Sequence, residues 1–133
     1  MKILILGASY GSLLSTKLLM AGHDVTLICR SKSAALINDE GTEVRIKLRD
    51  EDSHRAFRSH DLAGTLDAVT PADARPENYD MISLAMQEPQ YSEPQVRDLM
   101  QRIATSRKPC LSIMNMPPLP FLRRVDALRE APL

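Results

Sequence analysis

The N-terminal part of the chain alternates short apolar runs with stretches of helical periodicity. Lys2–Leu6 has no polar alternation and is too short for a helix, so it predicts a central parallel strand that is covered on both faces. The small residues of Gly7–Gly11 interrupt this run and predict a tight turn. A helix is then predicted from Ser12, because apolar residues recur at helical spacing until Gly22 provides a left-handed cap.

The next segment repeats this arrangement and then departs from it. Asp24–Cys29 predicts a second strand, and Ser33 is the expected N-cap of a second helix that stops at Gly41. This βαβα pattern with short connections predicts an α/β fold with a Rossmann-like, doubly wound, mostly parallel sheet. Thr42–Ala68 begins with alternating apolar and polar residues and continues into a charged stretch, which predicts a small hairpin or β-excursion after the second helix.

The remainder of the chain predicts two more strands, each followed by a helix. Thr70–Pro71 is expected to begin one short turn, and Asp80–Ala85 and Pro109–Met114 are expected to form strands. The helix between these strands should start with a capping box formed by Ser92 and Gln95. Its apolar stripe consists of Val96, Leu99, Met100 and Ile103. The apolar residues of the last predicted helix are Phe121, Leu122, Val125 and Leu128.

Composition is ordinary for one globular domain. The 133 residues are 44% hydrophobic and 26% charged, which excludes disordered, collagen-like and disulfide-scaffold classes. The net charge of 0 makes neither nucleic acid nor an anionic membrane an expected partner. No apolar run approaches the ~20 residues of a membrane span, so we expect a cytoplasmic protein. Cys29 and Cys110 are expected to be buried, reduced thiols, and the histidines lack metal-ligand spacing, so no metal site is expected.

The turn after the first strand has the small residues of a dinucleotide-binding loop. The fingerprint wants glycine at the tight turn, at the pyrophosphate and at the helix–strand contact, and here those positions hold Gly7, Ser9 and Ser12. Tyr10 and Gly11 lie between the second and third positions. The loop opens a helix whose N–H groups can bind phosphate. We therefore interpret all five residues as cofactor-binding, the alternative being a turn that serves only helix packing.

The end of the second strand carries positive charge where specificity between nicotinamide dinucleotides is usually set. NAD enzymes place an acid there for the ribose 2′-hydroxyl, whereas an arginine accommodates the 2′-phosphate of NADP. This chain has Arg30, Ser31 and Lys32 and no acid. Arg30 can bind phosphate through two hydrogen bonds, while Ser31 and Lys32 add a hydroxyl and a point charge. The interpretation is an NADP site, and the alternative is a pair of solvated surface charges.

Several longer segments carry a family resemblance. Two of them are Ile3–Ala8 and Ala21–Arg30. The others are Ala34–Ile37, Gly41, Asp80–Gln90 and Ser112–Met116. Together they resemble the N-terminal domain of the ketopantoate reductase family over nearly the whole chain. The resemblance implies a Rossmann-like fold, NADPH as cofactor, and reduction of 2-dehydropantoate or a related 2-oxo acid. The phosphate loop is one residue shorter than the family's usual form, and its gapless match is closer to opine dehydrogenases.

Two positions depart from the family pattern. After the fourth strand the family typically has a lysine followed three residues later by glutamine, and here these are Gln87 and Gln90. The family's Asn-Gly, where nicotinamide ribose and substrate meet, appears as Asn115 and Met116. The resemblance thus implies Gln87 and Asn115 as substrate or nicotinamide contacts. Met86 ends a predicted strand and is expected to line the nicotinamide pocket, the alternative being a core gap-filler.

The resemblance also implies that the main catalytic groups of the family lie outside this domain. The family's main catalytic lysine and its substrate-anchoring acid belong to a helical C-terminal domain, for which this chain has no residues, so the catalytic residues stay unknown. We interpret residues 1–133 as the NADP-binding domain of a ketopantoate-reductase-like oxidoreductase with a 2-oxo acid as small-molecule partner, and a homodimer stays open. Two alternatives also stay open: a non-catalytic nucleotide-binding module and an opine-dehydrogenase-like reductase.

Overall fold

The computed structural model describes residues 1–113, apart from the side chain of Glu88. Its helices and strands are, in chain order, β1 (Lys2–Leu6), α1 (Ala8–Met20), β2 (Asp24–Ile28), α2 (Ser31–Glu40), β3 (Glu43–Lys47), β4 (His54–Arg58), β5 (Leu66–Val69), β6 (Met81–Leu84), α3 (Pro94–Ser106) and β7 (Cys110–Ser112). Short 3-10 turns cover Ser59–Asp61, Pro76–Asn78 and Glu88–Ser92.

Five of the strands form one sheet in the order β5-β2-β1-β6-β7, and every neighbouring pair is parallel. β1 is therefore central, as its continuous apolar run predicts. From β1 the chain builds outward through β2 to β5 and later through β6 to β7, which is the Rossmann-like strand order. The α/β fold predicted from the sequence is confirmed.

Apolar clusters cover both faces of this sheet. Ile3 and Ile5 of β1 pack on one face with side chains from α1 and α2, and Leu4 and Leu6 pack on the other with side chains from α3. These four side chains of β1 are buried. Burial on both faces explains why β1 shows no polar alternation, since neither face meets water.

Helix α1 begins four positions earlier than the sequence predicts. It starts at Ala8 rather than Ser12. Gly7 reverses the chain within one residue at φ +107°, so the helical backbone can begin at the next residue. Gly22 follows the helix at φ +79°, which confirms the predicted left-handed cap.

Neither predicted capping serine caps its helix. α2 starts at Ser31 with Arg30 as its N-cap residue, so Ser33 lies inside the first turn. α3 has Glu93 as its N-cap residue, and the Ser92 hydroxyl instead donates to a backbone carbonyl of the preceding 3-10 turn at 2.6 Å. Ser92 lies one residue before the N-cap of α3, so its hydroxyl is not at the capping position. The predicted apolar stripe of α3 is confirmed, with Val96, Leu99 and Ile103 buried and Met100 partly buried.

The region predicted as one β-excursion contains two different structures. β3 and β4 form the predicted antiparallel hairpin, but Leu66–Val69 joins the parallel sheet as its edge strand, which the sequence did not predict. Asn38 of α2 binds this edge: its Nδ2 donates to the carbonyl oxygen of Ala68 at 2.8 Å, and its Oδ1 accepts from the Ala68 N–H at 2.7 Å. The side chain thus pairs backbone groups that an edge strand leaves open.

The two cysteines differ in their exposure. Both thiols are free, and Cys29, directly after β2, is half-buried rather than fully buried as predicted. Cys110 is exposed, so the expectation that it is buried is wrong. Its strand, β7, pairs with β6 alone among the described residues and lies at the edge of the sheet, which leaves its side chains less covered.

The described residues end just after β7, within the strand predicted over Pro109–Met114. The predicted helix over residues 121–128 and the candidate site residue Asn115 lie outside them. No helix in the described range is both long enough and apolar enough to cross a bilayer.

Arg102 of α3 connects the helix to the loop between β5 and β6 through hydrogen bonds. Its guanidinium donates hydrogen bonds to the carbonyl oxygens of Ala74 and Pro71 and pairs with Asp98 at 3.1 Å. The turn predicted at Thr70 forms in this loop, where the Thr70 carbonyl accepts from the Ala74 N–H at 3.2 Å. The Arg102 side chain is only 28% exposed, so its hydrogen bonds contribute more than those of a surface ion pair.

We expect Arg102→Leu to lower the free energy of unfolding by about 2–4 kcal/mol, because hydrogen bonds from a charged group contribute about 1.5–3 kcal/mol and two carbonyl groups lose this donor. Arg97→Leu is the matched control, since Arg97 lies exposed on the same helix. Urea denaturation followed by circular dichroism measures both variants. Equal effects of the two substitutions would contradict the role assigned to Arg102.

Candidate functional site

A cleft of about 590 Å³ opens at the carboxyl ends of the central strands, beside the starts of α1, α2 and α3. From β1, the neighbouring strands β2 and β6 continue the sheet in opposite directions. Ligands of open α/β sheets bind at such a switch point. The predicted site residues that line this cleft are Gly7, Ser9, Arg30, Ser31 and Met86.

The start of α1 presents backbone donors to this cleft. The N–H groups of Ala8, Ser9 and Tyr10 precede the first hydrogen bond of the helix, which the Gly11 N–H donates to the Gly7 carbonyl oxygen at 3.0 Å. N–H groups at this position have no acceptor within the helix, and together with the helix dipole they favour an anion. The first turn carries no acidic side chain. This end of α1 is therefore suited to bind an anion.

Two glycines allow α1 to lie close to the sheet. A Cβ on Gly7 would lie 2.7 Å from the carbonyl oxygen of Ala85, directly after β6. A Cβ on Gly11 would lie 2.7 Å from Cγ2 of Ile5. The packing role of the fingerprint thus belongs to Gly11 and not to Ser12, whose hydroxyl bonds back to a carbonyl within the helix at 2.9 Å. The fingerprint places the packing glycine at position 12, one residue after Gly11, because it expects a longer turn between the strand and the helix. Here the helix begins directly after Gly7.

The end of β2 carries Arg30, and the start of α3 brings an acid beside it. Arg30 Nη2 lies 3.6 Å from Oε1 of Glu93. Both side chains are more than half exposed, so this ion pair is weak and screened by salt. Ser31 and Ser33 line the cleft next to Arg30, whereas Lys32 is not among its lining residues. The sequence showed no acid near Arg30 because Glu93 reaches it only through the fold.

A second pocket of about 320 Å³ adjoins the cleft at the start of α1. In it, Gln87 Nε2 donates a hydrogen bond to the Tyr10 hydroxyl at 2.7 Å, and the Gln87 N–H donates to Oε1 of Gln90 at 2.9 Å. An amide nitrogen only donates, so the Tyr10 oxygen accepts here and its own proton can be donated to an acceptor in the pocket. The predicted residues Tyr10 and Gln87 are thus brought together, a contact that local spacing does not reveal.

The apolar part of the cleft comes from side chains that also belong to the core. Met86 is buried in the cluster on the α3 side and also lines the cleft, so it is a core residue, and its place in a nicotinamide pocket stays a prediction. Cys29 lines the cleft beside Arg30. Because burial raises the pKa of the Cys29 thiol, this group stays protonated and contributes an apolar surface.

Charged groups are few in the two pockets. Among the described residues that line them, Arg30 and Glu93 alone carry charge, and none is a lysine or a histidine. Within residues 1–113 no group of three or more His, Cys, Asp or Glu side chains could hold a metal ion. The chemistry that these pockets offer is anion binding by backbone N–H groups and one guanidinium, with hydrogen bonding by a phenol and amides.

Comparison with known sequences gives one family match. A family model described as ketopantoate reductase PanE/ApbA matches residues 3–115. No curated protein gives a significant match to the chain.

Three solved structures, of proteins assigned as 2-dehydropantoate 2-reductases, share the fold. The protein from Enterococcus faecalis has a TM-score of 0.57 at 20% identity, over 89% of this chain and 35% of its own. The protein from Bacillus subtilis has a TM-score of 0.56 at 23% identity, over 100% and 38%. The protein from Methylococcus capsulatus has a TM-score of 0.59 at 15% identity, over 96% and 38%. The chain therefore spans little more than a third of the length of these proteins.

We expect Gly11→Ala to lower the free energy of unfolding by about 1–3 kcal/mol, because the added methyl group enters a filled contact against Ile5. Ser12→Ala is the control, since it removes one hydrogen bond within the helix and should cost less than about 1 kcal/mol. Urea denaturation of both variants measures the difference. A larger cost at Ser12 than at Gly11 would contradict the assignment of the packing position.

Proposed function

The chain belongs to the ketopantoate reductase PanE/ApbA family, and from this membership we propose that it forms the NADPH-binding domain of a reductase that acts on a 2-oxo acid such as 2-dehydropantoate. The observation that carries this proposal is a single cleft shared by the backbone donors of α1 and the guanidinium of Arg30. NADPH has two anionic parts, the pyrophosphate and the 2′-phosphate. Two separate anion-binding groups in one cleft suit that ligand.

The start of α1 has the close backbone approach that a pyrophosphate requires. A Cβ at Gly7 would meet the backbone of Ala85, and Ala8 and Ser9 have small side chains that leave their N–H groups accessible. The pyrophosphate would accept hydrogen bonds from Ala8, Ser9 and Tyr10. These residues therefore fit the cofactor that the family implies.

The two ends of the dinucleotide would occupy the two pockets. Arg30 would bind the 2′-phosphate through two hydrogen bonds, and Ser31 would add a hydroxyl donor at the adenosine end. The nicotinamide end would lie towards the smaller pocket, where Tyr10 and Gln87 offer hydrogen bonds. When bound, the reduced dinucleotide supplies the hydride for reduction of a carbonyl group.

Reduction of a 2-oxo acid also requires a proton donor for the developing alkoxide. Gln87 occupies the position where the family typically has a lysine, and no lysine or histidine lies among the described lining residues. A neutral amide can donate a hydrogen bond but supplies neither a full charge nor a readily transferred proton. We therefore propose that the proton donor of the reaction lies outside residues 1–113, the alternative within them being the Tyr10 hydroxyl of the smaller pocket.

A non-catalytic nucleotide-binding module is the second candidate function. It is favoured by one observation, the neutral Gln87 in a pocket whose described lining carries no charge. Both candidates bind a dinucleotide, and neither predicts turnover by these 133 residues alone, so the distinguishing measurement is turnover after the C-terminal domain of a family member is supplied to the chain. The family match favours the ketopantoate-reductase-like alternative over the opine-dehydrogenase-like one.

We expect the chain to bind NADPH more tightly than NADH, and Arg30→Ala to weaken NADPH binding about ten- to hundredfold, because a charge-assisted phosphate contact contributes about 1.5–3 kcal/mol. NADH affinity should change little in that variant. Lys32→Ala is the matched control. It removes one positive charge two residues from Arg30, and Lys32 does not line the cleft. Calorimetric titration with both dinucleotides tests this expectation, which equal affinities of the unmodified chain for NADH and NADPH would contradict.

We also expect these 133 residues alone to bind NADPH without oxidising it in the presence of 2-dehydropantoate. No lysine or histidine lies among the described residues that line the site, and a general acid or a cation at the developing alkoxide each contributes about 10²–10⁴-fold in rate. Loss of NADPH absorbance, followed with a panel of 2-oxo acids, measures turnover, and a full-length family member is the positive control. Robust turnover that Asn115→Ala abolishes would show that this chain contains its own proton donor or substrate contact.

A further inference from the structure

The acid that faces Arg30 gives the cleft a second determinant of cofactor choice. We propose that Glu93 limits the preference of this chain for NADPH by competing with the 2′-phosphate for Arg30. The inference rests on the proposed dinucleotide site and names a residue that the dinucleotide fingerprint does not include. In that fingerprint the acid for the ribose belongs to the end of the second strand. In this chain the acid comes from α3.

The position of Glu93 leaves its carboxylate available for this role. Glu93 is the N-cap residue of α3, yet its side chain makes no capping hydrogen bond to the helix. Its Oε1 instead lies 3.6 Å from Arg30 Nη2, and both residues line the same cleft. An acidic N-cap side chain normally accepts from the first N–H groups of its helix. Here the N–H groups of Gln95 and Val96, which also line the cleft, lack that partner.

A 2′-phosphate at Arg30 would meet Glu93 at close range. The Arg30 and Glu93 side chains are 83% and 52% exposed, so their pairing is weak and a doubly charged phosphate can replace the carboxylate. The displaced carboxylate then lies near the negatively charged phosphate, and their repulsion weakens NADPH binding. A ribose 2′-hydroxyl, in contrast, can donate a hydrogen bond to the carboxylate. Glu93 therefore disfavours NADPH and favours NADH.

The two effects predict different changes in affinity for the two dinucleotides when Glu93 loses its charge. Glu93→Gln removes the charge and keeps nearly the same shape, so Arg30 loses its competitor. We expect NADPH to bind about two- to fivefold more tightly, which corresponds to the energy range of an exposed ion pair. NADH should bind equally well or more weakly, so the NADPH preference of the variant rises.

Calorimetric titration of the full chain with NADPH and with NADH tests this proposal. Glu77→Gln is the matched control, because Glu77 is exposed and does not line the cleft. Circular dichroism verifies that both variants are folded. The gain of Glu93→Gln over the unmodified chain should vanish at about 1 M salt, where the Debye length is ~3 Å.

The outcomes separate this inference from the proposed function. Tighter NADPH binding by Glu93→Gln, without a matching gain for NADH or in Glu77→Gln, supports the inference. NADPH binding that depends on Arg30 but has an unchanged NADPH-to-NADH ratio in Glu93→Gln overturns the inference and leaves the proposed function intact. A gain that persists at high salt also overturns it, because the cause is then not electrostatic. Absence of NADPH binding by the unmodified chain overturns both.

Discussion

The close contact between the Gly7 turn and the carboxyl end of β6 is the constraint on which the rest of the site depends. Gly7 has φ +107°, and a Cβ there would lie 2.7 Å from the Ala85 carbonyl oxygen. The turn therefore takes one residue, and α1 begins at the carboxyl edge of the sheet. The Gly7 N–H also donates to the Ile28 carbonyl oxygen at 3.1 Å, which ties the turn to the end of β2, just before Arg30. One turn thus positions both anion-binding groups of the cleft.

The charge of the cleft is local and comes from few groups. The chain has a net charge of 0, so no overall field attracts an anion. The starts of α1 and α3 both face the cleft and contribute the positive ends of their helix dipoles. Arg30 adds a full positive charge, and Glu93 partly offsets it at 3.6 Å. The affinity for an anion therefore depends on how these groups are arranged, and composition alone does not indicate it.

Short-range patterns predicted the parts of the fold that depend on burial along one element. The apolar run of β1 and the stripe of α3 are confirmed, because burial on both faces of a strand gives a continuous apolar run and burial of one helix face gives a periodic stripe. The edge strand β5 has four residues and is bound at its edge by Asn38 from a helix, so it left no such trace. The site shows the same division. Arg30, Tyr10 and Gln87 were predicted from local position or resemblance, but the contacts of Arg30 with Glu93 and of Tyr10 with Gln87 join distant segments.

Central to the proposed function is one ligand that contacts the start of α1 and Arg30 at the same time. The most direct measurement is an NMR titration of the isotope-labelled chain with NADPH, which reports each backbone amide separately. The amide resonances of Ala8, Ser9, Tyr10 and Arg30 should shift together along one saturating curve, because all four residues lie at the carboxyl edge of the sheet. Shifts confined to the β3–β4 hairpin, or no saturable shifts at the start of α1, would contradict the proposed dinucleotide site.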